Sequence, residues 1–269
     1  MIRKLTFYLI ILIIFFNISC INYRKLLKSG DNKLKYDMAL KYYNEKDYFR
    51  SLQLFDELIN VYRGTANAEK VYYYYAYCHY YNGDYVLASF HFKNLAETLP
   101  NSQYAEESSY MSAYCEYLDS PSYSLDQTNT FNAIRDLQMF INTHPKSLRI
   151  EDCNILIDKL RLKLETKYFE IAKLYFYIED YKAAIVSLKN VVKDFPDTKY
   201  KEEILFYLLK ANYNYAQKSI NSKKFERYTS TIESYNNLYI TYPNSKYLKN
   251  AENILKVSNK EIKKYQTVN

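Results

Sequence analysis

The chain has 269 residues, 48% of them hydrophobic and 25% charged, enough to bury a sizeable core in one large domain or two small ones. Its 3 glycines and 5 prolines are too few for a turn-dense β-sandwich or barrel, so an all-helical fold is the expectation. The formal charge of +7 is only mildly basic; Arg3 and Lys4 fall in a segment expected to be removed, which leaves about +5.

The chain opens with MIRKLTFYLIILIIFFNISC: a basic start, an apolar run from Leu5 to Phe16, then small and polar residues ending in Cys20. The apolar run fits the roughly 7 to 15 residues of a signal-peptide core and falls short of the ~20 that span a bilayer. Asn17-Ile18-Ser19-Cys20 resembles the lipobox of bacterial lipoproteins, with Asn17 in place of the usual leucine. The resemblance implies that residues 1–19 are a leader and that Cys20 carries acyl chains, which together hold a protein on a membrane where one would do so marginally. Ile21 follows Cys20 where enteric lipoproteins kept at the inner membrane have aspartate, so the outer membrane is expected and nucleic acid is disfavoured as a partner. Residues 20–33 read as a polar, lipidated tether. Three further cysteines, Cys78, Cys115 and Cys153, form an odd set in an oxidising compartment, which argues for small core residues rather than a disulfide framework.

From residue 34 to 265 the chain reads as one repeat domain, with 266–269 as a tail. Four of the 5 prolines, Pro100, Pro145, Pro196 and Pro243, each end an amphipathic run and open the next. A Ser or Thr two residues later can accept a hydrogen bond from free amides of the following helix, and acids commonly follow in its first turn. The stretch around Arg63 plays the same part without proline. Between these junctions lie Lys46-Asp47-Tyr48, Gly83-Asp84-Tyr85 and Glu179-Asp180-Tyr181, each separating two helical patterns, with Lys224-Phe225 a weaker cousin. Helix pairs therefore recur about every 40 residues.

This pattern resembles the tetratricopeptide repeat, in which small residues stand where paired helices touch. Residues 168–196 match best, through Ala172, Tyr175, Asp180-Tyr181, Ala184, Leu188, Val191 and Pro196; residues 72–100 match through Ala76, Gly83-Asp84-Tyr85, Ala88, Phe92 and Leu95. The first repeat has Ala39, Tyr42, Asp47-Tyr48 and Phe55. The third keeps Ala113 and Ala133 but carries an insertion over 119–129. In the degenerate fifth, Thr231 takes the alanine's place. The resemblance implies an all-α tetratricopeptide-repeat superhelical solenoid of about five helix pairs, closed by a capping helix over roughly 246–265.

Tyrosine is conspicuous: 34 in a chain without tryptophan, seven of them in VYYYYAYCHYYNG, residues 71–83. At 100° per residue, Tyr72, Tyr75, Ala76 and His79 share the face expected to be buried. Tyr73, Tyr77, Tyr80 and Tyr81 form a second stripe, which in the resembled fold lines the inner surface. The next repeat offers Tyr110, Tyr114 and Tyr117 at matching spacing, and the previous one Tyr36 and Tyr43. These nine rings could form a groove for an extended polypeptide, since tyrosine joins a large apolar area to a hydroxyl that bonds backbone; they could equally be packing between helices.

No glycine-rich phosphate loop exists, and the histidines His79, His91 and His144 are scattered. His79 is expected to be a satisfied core histidine. Glu106-Glu107 and Glu202-Glu203 are explained by the dipole of the helix each one opens. Neither cofactor, metal site nor catalytic residues are implied, so the chain reads as non-enzymatic. Lys256, Lys260, Lys263 and Lys264 concentrate charge on the last helix, where a solvated helix end or an acidic or anionic partner would explain them.

An exported repeat stack with P-x-[ST]-x-Y junctions at Pro100, Pro196 and Pro243 resembles the BamD family of outer-membrane-assembly lipoproteins. That resemblance implies a periplasm-facing scaffold of the β-barrel assembly machinery. It would bind unfolded outer-membrane proteins through the amino-terminal repeats and a BamA-like barrel protein through the carboxy-terminal ones, including the four lysines. Two other readings share the repeats. A TolA-associated coordinator of envelope constriction would have a coiled-coil amino segment, and residues 21–35 show no heptads. A SusD-like glycan-binding lipoprotein would need a much longer chain.

Overall fold

The computed structural model describes residues 23–265, so the leader, Cys20 and the 266–269 tail lie outside the described residues. Described residues form helices joined by short turns, with no strand among them. In chain order these are α1 (Asn32–Asn44), α2 (Tyr48–Tyr62), α3 (Ala68–Tyr81), α4 (Tyr85–Thr98), α5 (Ala105–Asp119), α6 (Thr128–Thr143), α7 (Ile150–Tyr177), α8 (Tyr181–Asp194), α9 (Lys201–Gln217), α10 (Asn221–Thr241) and α11 (Leu248–Tyr265). Five helix pairs and a closing helix result, each element packing against its chain neighbour from α1 through α6 and from α8 through α11.

The small residues expected at helix contacts are where the helices meet. Ala39, Ala76, Ala88, Ala113, Ala133, Ala172, Ala184 and Thr231 are all buried, none more than 1% exposed. A methyl or hydroxyl at the crossing point lets helix axes approach to about 8 Å, and larger residues such as Phe55, Phe92 and Leu188 fill the space on either side. Thr231 keeps the alanine's place because its hydroxyl donates to the Arg227 carbonyl one turn back, 3.0 Å away, leaving its methyl to pack.

Both kinds of break have a repeated geometry. At the proline junctions the Ser or Thr two residues on accepts from a backbone N–H: Ser102 from Tyr104 at 3.1 Å, Ser147 from Arg149 at 3.2 Å, Thr198 from Tyr200 at 3.2 Å and Ser245 from Tyr247 at 3.1 Å. Within the pairs, Asp47, Asp84 and Asp180 cap α2, α4 and α8 by accepting from Arg50, Leu87 and Ala183 N–H. The residue before each aspartate is left-handed, at φ 63° for Lys46, 80° for Gly83 and 65° for Glu179. The Asp47 N–H reaches back to the Tyr42 carbonyl at 2.8 Å and the Lys46 N–H to Tyr43 at 3.0 Å, closing the helix end. Glycine adopts this conformation freely, whereas lysine and glutamate do so against their Cβ. Lys46→Gly should therefore stabilise the chain by about 0.5–1 kcal/mol in urea unfolding, and a loss of stability would rule out that source of strain.

One expectation is revised. The segment read as a tether over 20–33 packs instead from residue 23: residues 23–27 are helical, and Tyr23 and Leu26 join the core of Ala39, Leu54 and Phe55. The Tyr23 hydroxyl lies 2.8 Å from Gln53 Oε1 and 3.0 Å from the Arg50 carbonyl, and buried Lys35 donates to the Leu27 carbonyl at 2.8 Å while pairing with Glu57. The helix expected to open after Pro145 does so at Ile150 and runs unbroken to Tyr177, serving as the fourth repeat's first helix, because residues 150–177 contain neither glycine nor proline to interrupt it. The described residues fall into two compact units. One holds the described residues to Pro121 with Thr128–Ile157, the other Ser122–Gln127 with residues from Asp158 onward. The 119–129 insertion supplies the second unit's detached piece, held where Lys167 Nζ donates to the Leu125 carbonyl at 2.7 Å.

Cys78, Cys115 and Cys153 are buried free thiols. Burial pushes the first two up to about 12 and the third to about 11, so all three stay protonated and serve as small packing groups.

Candidate functional site

The first helices of repeats one to three, α1, α3 and α5, carry the nine tyrosines, and the structure sorts them into two sets. Tyr36, Tyr73 and Tyr110 occupy equivalent places, and the latter two are packed under the residue that closes the next junction. Tyr104 lies on Tyr73 with centroids 4.3 Å apart, and the Arg149 guanidinium lies 4.3 Å over Tyr110. The second unit repeats the device with Tyr200 on Phe169 at 5.0 Å and Tyr247 on Phe206 at 4.4 Å. The tyrosine of each P-x-[ST]-x-Y junction thus stacks on the preceding repeat's first helix. At Pro145, where the motif reads P-K-S-L-R, arginine takes its place.

Tyr77 is likewise structural. It is buried, meets Phe92 edge-on at 4.9 Å and donates its hydroxyl to Glu107 at 2.9 Å. Glu107 is held by Arg149 through contacts of 3.1 and 2.7 Å. Burial pushes the Tyr77 and Tyr110 phenols upward, so both stay neutral. Of the residues read from sequence as groove residues, Tyr73, Tyr77 and Tyr110 meet side chains of the next repeat, while Tyr36 packs on Phe55 and Tyr62 of its own repeat's second helix at 6.5 and 5.7 Å.

The remaining rings form a half-exposed band. Tyr43 and Tyr81 lie 6.1 Å apart, Tyr81 and Tyr80 5.1 Å, Tyr80 and Tyr114 6.3 Å, and Tyr114 and Tyr117 5.9 Å. Tyr81 is the most open, at 47%. Sequence reasoning missed Tyr48, which stacks on Tyr81 at 4.3 Å, and the Asp-Tyr turn was the signal that could have supplied it. Glu107, near the band, is held by Arg149 and by the Tyr77 hydroxyl.

On α11, Lys256, Lys260, Lys263 and Lys264 are exposed. Lys264 pairs with Glu261 at 2.6 Å, and the hydrogen bond from Lys264 holds that carboxyl below its usual range, with Lys224 and Lys260 adding to the effect. His79 is buried as expected, but neither of its ring nitrogens has a hydrogen-bond partner. Among the described residues no cluster of three or more His, Cys, Asp or Glu side chains could hold a metal ion, and no helix is long and apolar enough to cross a membrane.

No curated protein matches the chain. A crystal structure of a tetratricopeptide-repeat protein from Bacteroides fragilis is similar at 14% identity and a TM-score of 0.41, covering 85% of this chain and 99% of that one. The family described as YfiO, outer membrane lipoprotein, matches residues 29–227. That span takes in the amino-terminal packed segment, the ring band and the junctions through the fourth repeat, and the chain accordingly belongs to the YfiO, or BamD, family of outer membrane lipoproteins.

Proposed function

We propose that the chain is a non-enzymatic scaffold on the periplasmic face of the outer membrane, anchored by acyl chains on Cys20. On this reading it receives unfolded outer-membrane proteins along the ring band and docks on a BamA-like barrel protein through the lysines of α11. One observation carries the substrate half. Tyr43, Tyr81, Tyr80, Tyr114 and Tyr117 follow one another at 5.1 to 6.3 Å, close to the roughly 6.6–6.8 Å between same-face side chains of an extended strand. A strand laid along the band can set every second side chain against a ring. Membrane barrels are built of strands of about 9–11 residues with apolar side chains on one face. Neutral phenols suit that face, and their hydroxyls can bond the strand's open backbone.

The test is recovery and binding with one pair of proteins. The wild-type chain should capture a large β-barrel protein from detergent-solubilised outer membrane and bind peptides with barrel-strand alternation. A variant with Tyr81→Ala and Tyr114→Ala should keep the barrel protein but bind the peptides at least about fivefold more weakly, as loss of two ring contacts at 0.5–1.5 kcal/mol each implies. Equal peptide affinity in the two proteins would reject the band, and capture of cell-wall or glycan-transport components alone would reject the assembly role.

A further inference from the structure

Repeat two encloses a histidine pair that the ring band does not use. His79 on α3 and His91 on α4 stack with centroids 5.2 Å apart and planes 18° from parallel, and Tyr75 meets both edge-on at 4.7 and 4.6 Å. His79 is 6% exposed, and neither ring nitrogen has a hydrogen-bond partner. The nearest carboxylate is Asp84, 3.4 Å from His79 Nδ1, and it is engaged in capping α4 through the Leu87 N–H. From α2, Asp56 faces the pair but accepts from the Tyr75 hydroxyl at 2.8 Å. The charged and titratable groups around the rings are thus Asp56 on α2, Tyr75 on α3 and Asp84 at the head of α4, which caps through Oδ1 and turns Oδ2 to His79; both carboxylates favour a proton on the rings, but burial outweighs them.

We propose that this stacked pair is an acid-sensitive latch: proton uptake at His79 or His91 opens the packing of α3 against α4. Two parallel rings in contact repel if both are charged, and a single charge there loses more to burial than Asp84 and Asp56 return. Burial holds both imidazoles below their ordinary 6.5, and for His91, where the neighbouring His79 adds to it, at about 4. In the opened segment each returns to about 6.5 and binds more protons below that pH. The closed state therefore has its full advantage above about 6.5 and loses it as pH falls toward about 4. Since α3 also carries Tyr80 and Tyr81, opening would break the middle of the ring band; that consequence rests on the proposed substrate reading, whereas the opening itself does not.

Amide hydrogen exchange of the mature chain, corrected for intrinsic rates, tests the latch without any peptide. Between pH 7.5 and 5.5, above the range in which exposed carboxylates titrate, the opening constant over residues 71–98 should rise about tenfold for one histidine that charges only when open. Residues 201–241 of the second unit, which contain no histidine, should change little. His91→Phe, which keeps a stacked ring, should lose most of the rise, and His79→Phe provides the same comparison should the first variant fail to fold. Equal pH responses of the two segments, or a full rise in the folded phenylalanine variant, would overturn the proposal. Weak peptide binding with the rise intact would instead count only against the substrate band.

Discussion

Alanine in place of Phe92 should cost about 3–5 kcal/mol, the range for truncating a fully buried aromatic ring. Phe92 is 0% exposed on α4 and packs against the Tyr77 ring of α3. With domain stabilities of about 5–15 kcal/mol, this one change would leave the first unit marginal. Tyr77→Ala should approach the same cost, at about 3 kcal/mol, because it removes the ring from Phe92 and strips Glu107 of a hydrogen bond. Tyr81→Ala, by contrast, should stay within about 1 kcal/mol, since that ring is largely open. Urea unfolding of the three variants therefore separates rings that build the repeat from rings available to a ligand. A mild Tyr77→Ala would return Tyr77 to the open band.

The fold was legible because its determinants are local. The alanines sit where helix axes cross, the aspartates follow a left-handed residue, and the Ser and Thr of the proline junctions bond a backbone N–H two residues on. Each of these is fixed by a residue's own neighbours in the chain. The start of α7 was legible in the Pro145 junction for the same reason, and its length follows from the lack of any glycine or proline over 150–177 that could end it.

The candidate site was legible only in part. A helical wheel separates faces, and it put Tyr75, Ala76 and His79 in the core, though Tyr72 of the same face is only half-buried. It cannot tell a face open to solvent from one that meets the following repeat, and both Tyr77 and Tyr81 lie on that second stripe. The difference is set by residues far along the chain: Tyr104 over Tyr73, Arg149 over Tyr110, and Glu107 at the Tyr77 hydroxyl. Tyr23 and Leu26 were missed because short apolar positions within INYRKLLKSG carry no periodicity long enough to register as a packed element.

Arg149 joins two of those long-range contacts, so its loss should be felt beyond its own position. Its guanidinium bonds both Glu107 oxygens and covers Tyr110, while Glu107 in turn receives the Tyr77 hydroxyl. The ion pair is partly solvated, with side chains 40% and 31% exposed, which discounts it toward the low end of charge-assisted bonds. With about 0.5–1 kcal/mol for the cation over the ring, Arg149→Ala should destabilise by about 2 kcal/mol. Arg149→Lys should recover less than half of this, since both bonds to Glu107 come from Nη2 at the tip while the guanidinium carbon covers Tyr110, and a compact ammonium cannot occupy both places. A cycle with Glu107→Ala should show coupling near 1 kcal/mol in urea unfolding. Full rescue by lysine, or additive losses in the double variant, would mean that the junction needs only a positive charge there; the arginine would then not be standing in for the stacked tyrosine of the other repeats.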